Sequence, residues 1–215
     1  CLLAQIVDAP EQRVGSYSLV TAESREVLPD PTAVIEEPLQ RLVTESFFSW
    51  AQKAPLQTAV CQGEHSWTYE QLAERTDAIG RILKHTELKT GDVVAVHGRR
   101  SLGLIASMLG TLVSGGVLLL IDHQLPDLRK RLMLKEGRAR RLLLVGADGK
   151  DWLDAGQAIE SFSIEAMTGA IIDSESSLNL KTASLPKVLP EYPAYIFFTS
   201  GTTGTPKAVL GCHKG

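Results

Sequence analysis

Between residues 91 and 145 the chain runs three times into a short, uninterrupted apolar stretch, "VVAVHG", "VLLLI" and "RRLLLV". Each is separated from the next by a segment of helical character, "SLGLIASMLGTLV" and then "PDLRKRLMLKE". Strands that are apolar without alternation are buried on both faces, and strands joined by helices run parallel. This feature excludes an all-helical bundle and an antiparallel sandwich. It predicts an α/β fold, with mostly parallel sheets flanked by helices.

The same reading extends in both directions. From Pro38, "PLQRLVTESFFSWAQ" places Leu39, Leu42, Val43, Phe47 and Trp50 on one stripe of an amphipathic helix, with proline tolerated in the first turn. "TAVCQGEHSW" reads as a strand, a turn around Gly63 and a second strand. Thr68 and Gln71 then form a capping box that opens a helix over "YEQLAERTDAIGRILKH", with Leu72, Ala73, Thr76, Ile79, Gly80 and Leu83 facing inward. Residues 147 to 193, with Pro186, Pro190 and Pro193, read as irregular connections holding at most one strand. "AYIFF" follows as another buried strand.

Residues 101 to 121 carry no charge and approach the ~20 residues that span a bilayer. Gly115 and Gly116 divide the run into a helical half and a β half, so a buried helix followed by a buried strand is expected in place of a membrane span. A net charge of -3 gives no electrostatic footprint for nucleic acid. The three cysteines, Cys1, Cys61 and Cys212, are odd in number and contain no C-x-x-C pair, which fits reduced thiols in a cytoplasmic protein. Adjacent Cys212 and His213 do not make a nucleophile and base by adjacency alone. His65, His85, His97 and His123 show no metal-ligand spacing. The chain starts at Cys1, without a secretion signal, and is expected to be part of a longer polypeptide.

The segment "YIFFTSGTTGTPKAV", residues 195 to 209, empties an apolar strand into a loop of Thr, Ser and Gly. A loop leaving the carboxyl end of a strand in an open α/β sheet stands where ligands bind. Gly201 and Gly204 let backbone N–H groups approach a ligand, Thr199, Ser200, Thr202 and Thr203 add hydroxyls, and Lys207 adds a cation. That set suits a polyanion. A Walker A loop is excluded, because Pro206 precedes Lys207 and Ala208 follows it, and no G-x-G-x-x-G fingerprint occurs.

"FTSGTTGTPKAV" resembles the phosphate-binding core motif of adenylate-forming enzymes, the superfamily of acyl-CoA synthetases, luciferases and nonribosomal peptide synthetase adenylation domains. "WTYEQLAERTDAIGRIL", residues 67 to 83, is similar to the first adenylation core motif of the peptide-synthetase branch, and residues 110 to 144 are similar to the second. Two departures stand out. Leu120, Ile121, Asp122 and His123 occupy the place of Pro-Leu-Asp-Pro, and Ala208 replaces a glycine after the motif lysine.

The resemblance implies residues 1–37 as a condensation-domain tail and linker, and residues 38–215 as the N-terminal part of an AMP-forming adenylation domain. It implies an AMP-forming ligase in the intact parent, activating an amino or related carboxylic acid with ATP and Mg2+. The acyl adenylate would pass to the phosphopantetheine thiol of a carrier protein, with carrier and condensation domains as partners. Thr199, Ser200, Gly201, Thr202, Thr203 and Gly204 would cradle the β- and γ-phosphates, and Lys207 would add charge near the leaving pyrophosphate. His213, just after the motif, is expected to pack or to start a helix. The family's substrate pocket and catalytic lysine lie downstream, so residues 1–215 alone are expected to be inactive. Two other readings stay open: a free-standing acyl-CoA or aryl-acid ligase, and a noncatalytic remnant or interaction module.

Overall fold

A computed structural model of the chain describes residues 2–20, 22–30, 32–33, 41–146, 151–153, 159–172, 184–199 and 207–214. They fall into two compact units, Cys1–Gln40 and Arg41–Gly215.

The first unit holds helix α1 (Leu2–Asp8), a 3-10 turn at Val14–Ser16 and helix α2 (Ala22–Val27). It is tied by polar contacts: Gln5 and Ser18 exchange two hydrogen bonds of 2.8 and 2.9 Å, and the Tyr17 hydroxyl donates to the Ala9 carbonyl at 2.5 Å. No described residue of this unit is buried in an apolar core.

The second unit opens with α3 (Val43–Lys53), a hairpin of β1 (Thr58–Gln62) and β2 (His65–Thr68), and α4 (Tyr69–His85). Then β3 (Val93–Gly98), α5 (Leu102–Val113), β4 (Val117–Asp122), α6 (Asp127–Glu136) and β5 (Arg141–Val145) alternate, followed by β6 (Glu160–Ile164), β7 (Pro193–Thr199) and β8 (Lys207–Cys212). The main sheet runs β6-β5-β3-β4-β7-β8, parallel throughout except for the last, antiparallel pair.

The continuous apolar strands bury both faces, as their pattern requires. Val94 and Val96 of β3, Leu118 of β4, and Leu143 and Val145 of β5 meet Ile79 and Leu83 of α4 and Leu104 and Ala106 of α5. The intervening residues Ala95, Leu119, Ile121, Leu142 and Leu144 meet Met133 and Leu134 of α6 on the other face. Helices α4 and α5 cross closely because each presents a glycine at the contact: a Cβ on Gly110 would lie 2.7 Å from Ile79, and one on Gly80 2.9 Å from Val113.

The uncharged run is accounted for in the same way. Hydroxyls of Ser107, Thr111 and Ser114 are spent inside the chain, on the carbonyls of Gly103, Ser107 and Thr111 at 2.7–2.9 Å, so α5 is buried with these polar groups satisfied. Among the described residues no helix is long and apolar enough to cross a membrane.

The capping box is present, with the Thr68 hydroxyl accepting from the Gln71 N–H at 3.3 Å and the Gln71 side-chain carbonyl accepting from the Thr68 N–H at 2.9 Å. Two expectations need correction. Helix α3 begins at Val43, and only part of the expected stripe is covered: Leu42 is buried and Phe47 packs on the core, but Val43 and Trp50 are exposed. Pro38 and Leu39 lie outside the described residues. Strand β7 is buried only at Ala194 and Ile196, with Phe197 61% exposed, because its other neighbour is the exposed strand β8. A single strand, β6, is described between residues 147 and 192.

Candidate functional site

Strands β3, β4, β5 and β7 all point their carboxyl ends to one edge of the sheet. From that edge β3 leads into α5 on one face, whereas its neighbour β4 leads into α6 on the opposite face. The two connections diverge and leave a crevice between them, the topological switch point at which open α/β sheets bind ligands. A cavity of about 570 Å³ occupies this place, lined by Gly98, Arg99, Arg100, Leu104, Leu120, Asp122, His123 and Gln124. Within it the His123 Nδ1 stands 3.2 Å from an Asp122 carboxylate oxygen.

Arg99 and His123 also line a smaller cavity of about 260 Å³ on the α6 side, with His97, Asp127, Lys130, Asp151 and Trp152. His97 is fully buried there, its Nδ1 3.2 Å from the Ile121 carbonyl and its ring edge-on to Trp152 at 4.9 Å. Lys130 is buried beside the Trp152 ring at 5.6 Å and pairs with Asp127 at 3.3 Å. Spacing in the sequence marks neither the arginines nor the histidines as functional. The signal that does exist is topological: a strand-to-helix exit at Gly98–Ser101 next to another at Asp122–Pro126.

On the same edge, β7 and β8 flank residues 200–206, the segment expected from the sequence to bind phosphate. They pair in register from Tyr195 opposite Gly211 to Thr199 opposite Lys207. Of the expected phosphate ligands, Thr199 ends β7 and Lys207 begins β8, both exposed. Ser200, Gly201, Thr202, Thr203 and Gly204 lie outside the described residues. Directly opposed residues of an antiparallel pair share a face, so Thr199 and Lys207 project to the same side, as do Phe197 and Val209. Lys207 therefore belongs to a strand that no pattern in the sequence announces, not to the loop itself.

The base of the hairpin is shaped by one glycine. The Tyr195 ring lies across Gly211, where any Cβ would overlap it, and packs 4.8 Å from the Phe197 ring. His213 follows β8 and donates its backbone N–H to the Tyr192 carbonyl at 3.1 Å. Its Nε2 is buried without a partner among the described residues, and burial lowers its pKa, favouring the neutral imidazole. No group of three His, Cys, Asp or Glu side chains among the described residues is placed to hold a metal ion.

This architecture defines a class, and comparison with known proteins gives it a family. Residues 47–215 match the model of the AMP-binding enzyme family, to which the chain belongs. Within that family its likeness is to the adenylation domains of nonribosomal peptide synthetases, and to their N-terminal subdomain in particular. It is 30% identical over 200 residues to bacitracin synthase 1 of Bacillus licheniformis, an alignment that covers 93% of this chain and 4% of that one. It is 31% identical over 209 residues to tyrocidine synthase 2 of Brevibacillus parabrevis, covering 95% of this chain and 6% of that one. The chain thus spans a small part of the relatives it matches. Among solved structures, the Klebsiella oxytoca NpsA N-terminal subdomain in complex with 3-hydroxyanthranilyl-AMSN superimposes with a TM-score of 0.65 at 25% identity, over 84% of this chain and 43% of that one. The nonribosomal peptide synthetase FmoA3 does so with a TM-score of 0.64 at 29% identity, over 81% and 17%.

Proposed function

We propose that this chain supplies the phosphate-binding half of an adenylation site, which activates an amino or related carboxylic acid with ATP. The observation that carries the reading is the β7–β8 hairpin, which holds Thr199 opposite Lys207 at the carboxyl edge of a parallel sheet and so fixes both ends of the segment 200–206. In the proposed reaction a carboxylate oxygen attacks the α-phosphorus of ATP, the bond to the β-phosphate oxygen breaks, and pyrophosphate leaves with the acyl adenylate formed. Thr199, Ser200, Gly201, Thr202, Thr203 and Gly204 would donate hydrogen bonds to the β- and γ-phosphates, and Lys207 would stabilise the charge growing on the leaving group.

Mg2+ would be held largely by the phosphate oxygens and would share their charge. The acyl group would pass to the phosphopantetheine thiol of a carrier protein. A solved relative that is an artificially fused adenylation–PCP di-domain supports a carrier as partner, with a TM-score of 0.64 at 26% identity. Residues 1–37 are read as the end of a condensation domain and its linker, and Cys61 and Cys212, neither in a disulfide, suit the cytoplasm.

The test is carboxylate-dependent ATP–pyrophosphate exchange by the parent enzyme carrying Lys207→Ala. A lost charge-assisted contact of about 1.5–3 kcal/mol predicts a fall of roughly 10- to 150-fold. Unchanged exchange would remove Lys207 from the site.

A further inference from the structure

Strand β8 has little of its own to fix where it pairs. Its first four residues are exposed, and its outer edge is unpaired among the described residues. Register is strongly specified only where one face of a strand is buried. Strand β7 is anchored from its other side: Tyr195 and Ile196 pair with Leu118 and Leu119 of β4, Ala194 and Ile196 are buried, and Tyr195 packs on the core cluster shared with α4 and α5. Strand β8 therefore takes its register from β7.

The pairing is irregular at one point. Pro193 stands opposite Cys212 and Tyr195 opposite Gly211, so Ala194 is an extra residue on β7, a β-bulge. Below the bulge the chain is tied by the His213 N–H to the Tyr192 carbonyl at 3.1 Å and by the Lys214 N–H to the Pro190 carbonyl at 3.0 Å. Closing the bulge over these bonds would move every pair above it by one, setting Tyr195 opposite Leu210 and Phe198 opposite Lys207. A slip of one residue turns the side chains to the other face. Lys207 would leave the face of Thr199.

The first pair above the bulge opposes that slip. The Tyr195 ring lies across Gly211, where a Cβ would overlap its Cε2 and Cζ, and Leu210, which the shifted register brings there, leaves no such gap. An aromatic ring covering a glycine on a facing edge strand pins the register of the pair. The ring also meets that of Phe197 at 4.8 Å, the next residue on this face toward Thr199 and Lys207.

We propose that Tyr195 and Gly211 are positioning residues, whose packing holds the β7–β8 register and so keeps Lys207 on the face of Thr199 for the phosphates of ATP. The role in the reaction rests on the assignment of Thr199 and Lys207 as phosphate ligands; the register itself does not.

The experiment joins a structural and a kinetic readout on Tyr195→Leu, which loses the ring but stays apolar against the core. Cross-strand backbone NOEs of the 215-residue chain are expected to move from Phe197–Val209 to Phe198–Lys207. In the parent enzyme the KM for ATP in carboxylate-dependent pyrophosphate exchange is expected to rise about tenfold, with the KM for the acid unchanged. A general loss of stability would not divide the two constants in that way. Tyr195→Phe keeps the ring and should behave as the wild type, whereas Gly211→Ala drives the ring aside and should reproduce Tyr195→Leu. NOEs left at Phe197–Val209 in both disruptive variants would overturn the proposal, as would moved NOEs with an unmoved KM for ATP in an enzyme that Lys207→Ala impairs. If Lys207→Ala leaves exchange unchanged while the NOEs still move, the phosphate assignment fails and the register pair stands.

Discussion

Gly211 is where a single atom decides the shape of the hairpin. Because Tyr195 lies across it, Gly211→Ala should destabilise the second unit by about 1–3 kcal/mol through overpacking, read as a lower urea midpoint. Tyr195→Ala with Gly211→Ala should recover part of that loss. His213 gives a pH dependence at the same scale. Its pKa is lowered by burial, so the unfolded chain binds the proton more readily than the folded one between the two values. Stability is then fully present above the ordinary histidine value of 6.5 and declines as pH falls through it. Urea midpoints should drop between neutral and mildly acid pH, and His213→Gln should flatten that drop. A packing role for His213 is legible from its adjacency to the motif. The close approach of Tyr195 and Gly211 is not, because it depends on a strand pairing across residues that form no pattern of their own.

At the scale of elements, legibility follows burial. Strands β3, β4 and β5 are evident because both of their faces are covered and nearly every residue must be apolar. Strand β8 escapes notice because "KAVLGC" is exposed over its first four residues, so no periodicity marks it. For the same reason α3 keeps Val43 and Trp50 exposed although the spacing places them on the apolar stripe; Trp50 meets the Tyr69 ring, stacked at 6.3 Å, and stays half in solvent. The capping box of α4 needs no tertiary context, since its two hydrogen bonds join Thr68 and Gln71 of one helical turn. Thr68→Ala should therefore cost about 1 kcal/mol, measured by chemical unfolding, and Thr68→Ser should cost much less.

At the scale of the whole molecule, the sheet places its switch-point crevice and its β7–β8 hairpin on one edge, while the β7–β8 end stays apolar and open. Phe197, Val209 and Leu210 are exposed on the last two strands, and β8 has an unpaired edge among the described residues. Such a surface drives association. Sedimentation of the 215-residue chain should show mass rising with concentration, and Phe197→Gln with Val209→Gln should suppress it. The alternation of strands and helices foretells the sheet, and the motif foretells the family. Neither indicates that Arg99, Arg100 and His123 converge, since that follows from two connections leaving adjacent strands toward opposite faces.

The central claim is that the hairpin closing on Thr199 and Lys207 is a nucleotide-phosphate site. The direct measurement is amide NMR of the 215-residue chain titrated with ATP and Mg2+, compared with the Lys207→Ala variant. Shifts concentrated at Thr199, Lys207 and the intervening segment, and lost in the variant, are what this account predicts. Shifts confined to other parts of the sheet edge, or undiminished by loss of Lys207, would contradict it.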